Sequence, residues 1–344
     1  MLSMPVLRLL PVVLIVLALF ATPASAQAPT IPLPGGGQIK VKLPTPKGKK
    51  HKPARPIRTR TVQVGIADEK AGMFSDPRFL ALGMRTARRS VAWDVFKHDW
   101  ALAEVDEWLA HARAAGVRPL ITFGRSRIQS QFHYIPTRAE YRDMFRKFRA
   151  RWPWVTDFVA TNESNYSDPG FKRPELAARY YNDMRKACRH CKVAAATLLE
   201  VPKREKYMRR WVKRFLRVAR PRPKYWAIHN YFSANQLSLK GTRRMLKLTK
   251  RGEIWVTEVG GLVKRRSNFV GKVPMREGPT HAKRVTRYIF DRIIPSSSRI
   301  KRVYLFHWNA AGPTDTWDSG LVAPDGTARG TLDIVRSKLG RLPR

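Results

Sequence analysis

Two glutamates stand in contexts that fit one chemistry. Thr161-Asn162-Glu163-Ser164-Asn165 and Ile254-Trp255-Val256-Thr257-Glu258-Val259-Gly260 each set a glutamate where an apolar, β-branched run ends. Such runs read as buried strands. The glutamates lie 95 positions apart, room for about three strand-helix units at roughly 30 residues each. Two carboxyl groups brought to one end of a barrel are the minimal equipment for breaking a glycosidic bond. The pattern points to sugar chemistry without choosing a sugar.

Positioning such a pair asks for strands in register with helices between them, and the chain alternates accordingly. Strand-like runs fall at 62–67, 87–93, 119–123, 155–161, 192–198, 225–229, 253–257 and 302–306. Helix-like stretches cover about 99–115, 137–152, 174–189, 204–219, 239–250, 281–294 and 330–338. In the third of these, Leu176, Tyr180, Met184 and Ala187 recur at three- and four-residue spacing, the period of one helix face. Eight units in order imply a parallel sheet with right-handed crossovers. A doubly wound open sheet is the other arrangement such an alternation allows, but no glycine-rich phosphate loop follows the first strand. The expectation is a single (β/α)8 barrel, a TIM barrel of the α/β class, over residues 61–344. In that fold the site lies at the C-terminal ends of the strands. Those ends carry Asp68, Trp93, Arg125, Asn162, Glu163, His229, Tyr231, Glu258, His307, Trp308 and Asn309.

The first 60 residues read differently. Arg8, the apolar run 9–20 and Ala24-Ser25-Ala26 make a secretory signal peptide over residues 1–26. Residues 27–60 hold seven prolines, Gly35-Gly36-Gly37, nine Lys/Arg and no acid. Such a stretch cannot offset its chain entropy by burial, so a disordered basic linker is expected. It is either a cationic tether or a solvated spacer. No later segment is apolar for long enough to span a bilayer, so the protein is expected to be secreted or associated with the cell envelope. The net charge of +42 favours anionic partners such as an envelope polymer. Nucleic acid is not expected, because an exported protein seldom meets it. Cys188 and Cys191 are the only cysteines. Their close spacing in an exported chain suggests a local disulfide, and His190 alone does not complete a zinc set. Neither metal nor cofactor is expected.

The order of residues also carries a resemblance. Arg88 at strand two, Asn162-Glu163 at strand four, His229 and Tyr231 at strand six, Thr257-Glu258 at strand seven and Trp308 at strand eight resemble the large clan of retaining (β/α)8 glycoside hydrolases. Within it, the pattern is similar to bacterial cellulase-like and family-39-like proteins, as is Gly320-Leu321-Val322-Ala323-Pro324-Asp325-Gly326 before a last helix. The resemblance implies that Glu163 is the general acid/base and Glu258 the nucleophile. It also implies substrate contacts from the other residues. Arg88 and Tyr231 would serve the Glu258 carboxylate, Asn162 a sugar 2-hydroxyl, His229 the orientation of the site and Trp308 a flat platform for a sugar ring. Where the clan often has Trp-Asn-Glu-Pro, this chain has Thr161-Asn162-Glu163-Ser164, which is expected to loosen the turn holding the acid/base. Two function classes follow: an exported retaining glycoside hydrolase acting on a carbohydrate, or a non-catalytic carbohydrate-binding barrel at the envelope.

Overall fold

The computed structural model describes residues 61–166, 170, 172–265, 275–312 and 314–340. The chain divides into two units, Met1–Ile57 and Arg58–Arg344, and the described residues all belong to the second. The expected signal peptide and linker lie outside them. Among the described residues no helix is long and apolar enough to cross a membrane.

Eight parallel strands form the centre: β1 (Gln63–Ala67), β2 (Thr86–Ala92), β3 (Arg118–Gly124), β4 (Asp157–Val159), β5 (Lys192–Ala194, resumed at Thr197–Leu199), β6 (Tyr225–His229), β7 (Glu253–Val259) and β8 (Ile300–Phe306). Neighbours pair in the order β4-β3-β2-β1-β8-β7-β6. β5 closes the ring by changing partners midway. Lys192–Ala194 pairs with β4, and Thr197–Leu199 pairs with β6. The handover occurs at Ala195 and Ala196, which bond to β6 through Tyr225 O and Ala227 N. The single run expected over 192–198 is therefore two short strands, and the sheet is a barrel rather than an open, doubly wound one.

Helices wrap the outside. After β1 comes the short α1 (Pro77–Ala81), then α2 (Asp99–Ala114), α3 (Arg138–Arg151), α4 (Pro174–Ala187), α5 (Glu205–Val218), α6 (Tyr231–Asn235) with α7 (Lys240–Thr249), α8 (Pro279–Tyr288) and α9 (Gly330–Leu339). Local chemistry sets their ends. Thr137 and Glu140 form a reciprocal capping box at the start of α3, which satisfies two orphan N–H groups. Proline occupies the first turn of α1, α4 and α8, where its missing N–H costs nothing.

Apolar residues fill two layers. Between sheet and helices lies the main core, including Ile66, Trp108, Phe148, Phe158, Trp226 and Ile254. Inside the barrel a second cluster takes one residue from each strand except β2: Ala67, Leu120, Val159, Ala194, Ala227, Trp255 and Tyr304. Small side chains on one arc make room for the two large ones, so the interior is a packed core and not a pore. Below it, buried Asp157 accepts from Arg302 Nη1 at 2.5 Å, and the Arg302 guanidinium lies 4.2 Å over the Trp255 ring. The sequence between Cys188 and Cys191 is closed by a disulfide with the Cα atoms 5.3 Å apart.

Candidate active site

β4 and β7 deliver the two glutamates to one spot. Glu258 is inside β7, which runs two residues beyond the expected end at Thr257. Its strand register places it beside His229 of β6. Glu163 comes from the turn after β4. The His229 ring, fully buried, sits between them, with Nδ1 2.8 Å from Glu163 Oε1 and Nε2 3.4 Å from Glu258 Oε1. The second contact lacks hydrogen-bond geometry, which leaves Nε2 without a bonded partner. One atom from each of Glu163, His229 and Glu258 lies within 4.8 Å of the others. The glutamate side chains keep 14% and 13% of their surface accessible, so both are reachable from the barrel mouth.

Glu258 is held by two donors. Arg88 Nη1 donates to Oε1 at 2.5 Å, and the Tyr231 hydroxyl donates to Oε2 at 2.9 Å. Charge-assisted bonds of this kind are about twice as strong as neutral ones. Arg88 is fixed in turn, with Nε on Thr122 Oγ1 at 2.9 Å and Nη2 on Asn162 Oδ1 at 2.9 Å. That bond assigns the Asn162 amide, since only its oxygen accepts from a guanidinium. Burial, followed by the charge of Glu258, pushes the Tyr231 phenol well above its ordinary range. It therefore remains protonated and a donor at any working pH.

The turn carrying Glu163 is tight, not loosened. Glu163 has φ of 38°, a left-handed backbone that costs a non-glycine residue on the order of 1–3 kcal/mol and persists only where its surroundings enforce it. Here they do. The Thr161 and Ser164 hydroxyls bond to each other, and Ser164 N reaches Thr197 O at 3.0 Å. Asn165 brackets Leu199 with bonds of 2.8 and 2.9 Å to its backbone N and O. Side-chain oxygens and an amide thus do what a proline ring does in the common Trp-Asn-Glu-Pro version.

Six of the seven predicted site residues meet here: Glu163, Glu258, Arg88, Asn162, His229 and Tyr231. Trp308 does not join them. Its indole is 3% exposed, lies edge-on to Phe79 at 5.7 Å, and points Nε1 at Asp76. Buried in this way, it has no open face for a sugar ring. Trp317 instead lies beside a residue of the site, set edge-on to the Tyr231 ring at 4.8 Å. Trp93 is buried against Tyr134.

Sequence reasoning missed Glu200. It follows the second half of β5 and is 6% exposed, accepting from the Ser233 backbone N and hydroxyl at 2.9 Å each. Burial raises its carboxyl above the usual range, and the Ser233 bonds oppose that rise. The contact anchors α6, the helix that begins with Tyr231. Asn235 anchors the same helix to β7 by donating to Gly260 O at 2.9 Å. The strand-end rule would have found Glu200 had the fifth strand been traced one residue further, to Leu199. The clustered Glu163, His229 and Glu258 could also ligate a cation on geometry alone. Among the described residues the other such group is Cys188, His190 and Cys191, whose thiols are already joined.

Comparison with known proteins shows a family and a fold. The family model for the glycosyl hydrolase catalytic core matches residues 122–327. No curated protein sequence matches the chain. Among solved structures, a family 39 glycoside hydrolase from Bacteroides cellulosilyticus aligns with a TM-score of 0.58 at 14% identity, over 83% of this chain and 64% of that one. A xylanase from Paenibacillus barcinonensis gives 0.60 at 11%, over 80% and 95%. Two fungal β-1,4-galactanases are represented at 0.60 and 15%, over 82% and 99%. At these identities the likeness is one of fold.

Proposed function

This chain belongs to the glycosyl hydrolase catalytic core family, and on that premise we propose that it hydrolyses O-glycosidic bonds of a polysaccharide or glycoside with retention of configuration. Glu163 is the general acid/base and Glu258 the nucleophile. The observation that carries the reading is the close approach of the two carboxyl groups, with one oxygen of each within 4.8 Å. Retaining enzymes keep them about 5–5.5 Å apart, while inverting ones leave about 6.5–9.5 Å for a water.

The neighbours divide the labour. Arg88 and Tyr231 occupy both Glu258 oxygens with donors, which suits an ionised group that attacks the anomeric carbon. Glu163 has His229 beside it, and its proton passes to the glycosidic oxygen as that bond breaks and the Glu258 ester forms. Water then attacks the anomeric carbon, gives its proton to Glu163, and Glu258 leaves as a carboxylate. Asn162, whose oxygen is taken by Arg88, keeps its amide N–H groups for a sugar hydroxyl. Preorganised donors of this kind stabilise charge without reorganising during the reaction.

Export completes the proposal. Arg8, the apolar run and Ala24-Ser25-Ala26 support it, as does the Cys188–Cys191 bond, because disulfides persist in oxidising compartments. N-terminal sequencing of the mature protein should begin at Gln27; retention of Met1 would refute cleavage.

The test of the chemistry is hydrolysis of aryl glycosides and envelope polysaccharides by wild type, Glu163→Ala and Glu258→Ala. Activity should fall in both variants, with azide rescuing Glu258→Ala as the glycosyl azide of opposite anomeric configuration. Equal glycan binding by all three proteins with no turnover would instead identify a binding barrel.

A further inference from the structure

Outside the barrel, α5 packs closely on α4 but meets α7 only loosely, and the gap is a cleft of about 880 Å³. Eight of its twelve lining residues are Arg or Lys, among them Arg209, Lys213, Arg217, Arg222 and Lys247. One lining residue is acidic, Glu205, and it is already paired with Arg244. The floor is apolar, made by Val212, Leu216 and Leu248. Along the 14-residue α5, cations line the cleft from Arg209 to Arg217, a row of about 12 Å at 1.5 Å per residue. Because α5 begins beyond the C-terminal end of β5, one end of the cleft lies on the side of the barrel mouth.

These cations differ from those of α3 and α9. On α3, Arg138, Arg146, Lys147 and Arg151 each meet an aspartate. On α9, Arg336 and Lys338 do the same. In the cleft, Arg209, Lys213, Arg222 and Lys247 are exposed and meet no acidic partner among the described residues. Arg209, Lys213 and Arg217 also follow one another at four-residue spacing. Like charges in that register destabilise a helix by about 0.2–0.5 kcal/mol per pair. A bound anion would relieve that repulsion along the whole row.

We infer that the cleft between α5 and α7 is a second, non-catalytic binding groove for a chain of acidic sugars. Charge complementarity selects an anion. The length of the cationic row selects a chain with repeated charges over a single phosphate. The lining contains no aromatic side chain, so it lacks the stacking platforms that single-stranded nucleic acid uses. The apolar floor meets the C–H faces of pyranose rings, and a recessed floor is closed to a flat bilayer. The groove stands apart from the Glu163–Glu258 site, and the inference does not depend on hydrolysis there. Its role in a glycan-degrading protein is to hold polymer near the mouth.

The experiment measures binding of full-length Glu258→Ala, which keeps the polymer intact. The probes are polygalacturonate, neutral xylan and vesicles containing phosphatidylglycerol, at low and high salt. The groove variant adds Arg209→Ser, Lys213→Ser and Lys247→Ser, and a control variant instead adds Arg113→Ser, Arg189→Ser and Arg287→Ser, three exposed cations elsewhere. Polygalacturonate should bind more tightly than xylan, and high salt should weaken it. The groove variant should bind it about 100-fold more weakly, with unfolding temperature unchanged or raised, while the control loses much less. Equal losses in both variants would assign binding to the overall charge and overturn the groove. So would vesicle binding that depends on the three groove cations while polygalacturonate binding does not. Lys213→Gln alone, a milder change, should still weaken binding several-fold; no change there would overturn the inference as well.

Discussion

Removing the Tyr231 hydroxyl isolates one bond to the proposed nucleophile. Tyr231→Phe keeps the ring against Trp317 and Phe306 and deletes only the 2.9 Å donor to Glu258 Oε2. A hydrogen bond to a charged group contributes about 1.5–3 kcal/mol. Only the part that differs between ground and transition states appears in a rate. In the first step Glu258 loses charge as it attacks, so the lost donor matters little relative to the free enzyme. In the second step Glu258 regains charge as it leaves, and the donor is missed. With about half the charge developed, the cost is about 0.8–1.5 kcal/mol, or roughly 4- to 13-fold in the hydrolysis of the glycosyl-enzyme. With an activated aryl glycoside, kcat should fall by that factor and KM should fall with it, because the intermediate accumulates. Rapid-mixing measurements should then show a burst of released phenol equal to the enzyme concentration. A kcat within twofold of wild type and no burst would refute the reasoning. A loss confined to kcat/KM, with KM rising, would mean that Tyr231 serves substrate binding.

Other perturbations test the frame. Asp157→Ala leaves the buried Arg302 guanidinium without its carboxylate, and breaking such a pair costs about 3–5 kcal/mol, read from urea unfolding. Asp318 is partly desolvated, but the neighbouring His307 ring, with Nε2 3.9 Å away, and bonds from Arg329 and the Gly320 N–H outweigh that and hold its carboxyl well below the usual range. A depressed folded-state value stabilises the protein above the unfolded value near ~3.9 and loses that stabilisation as pH falls. The stability gap between wild type and Asp318→Asn should therefore be largest near neutrality and close in acid; a gap that is constant with pH would contradict this. Reducing the Cys188–Cys191 bond opens a loop of only three-residue separation, so the loss should be about 2 kcal/mol, with catalysis unchanged in a glycosidase assay.

Much of the architecture is local in origin and was legible in the chain. Helix and strand periods, the prolines opening α4 and α8 and the capping box of α3 are properties of neighbouring residues, so element order and most boundaries follow from sequence. The same holds for the two glutamates, since a carboxyl group at the end of an apolar run has little choice but the barrel mouth. Which groups face one another is another matter. Alternate residues on a strand point to opposite faces, and a shift of one position exchanges them. Arg88 reaching both Glu258 and Asn162, and His229 lying between the two glutamates, thus depend on the stagger of strands far apart in the chain. That stagger also sends Trp308 into packing against Phe79, and it divides β5 so that Glu200 can anchor α6. The cationic cleft is of the same kind. Its arginines and lysines were countable in the sequence, but only the spacing of α5 and α7 gathers them around a shared apolar floor.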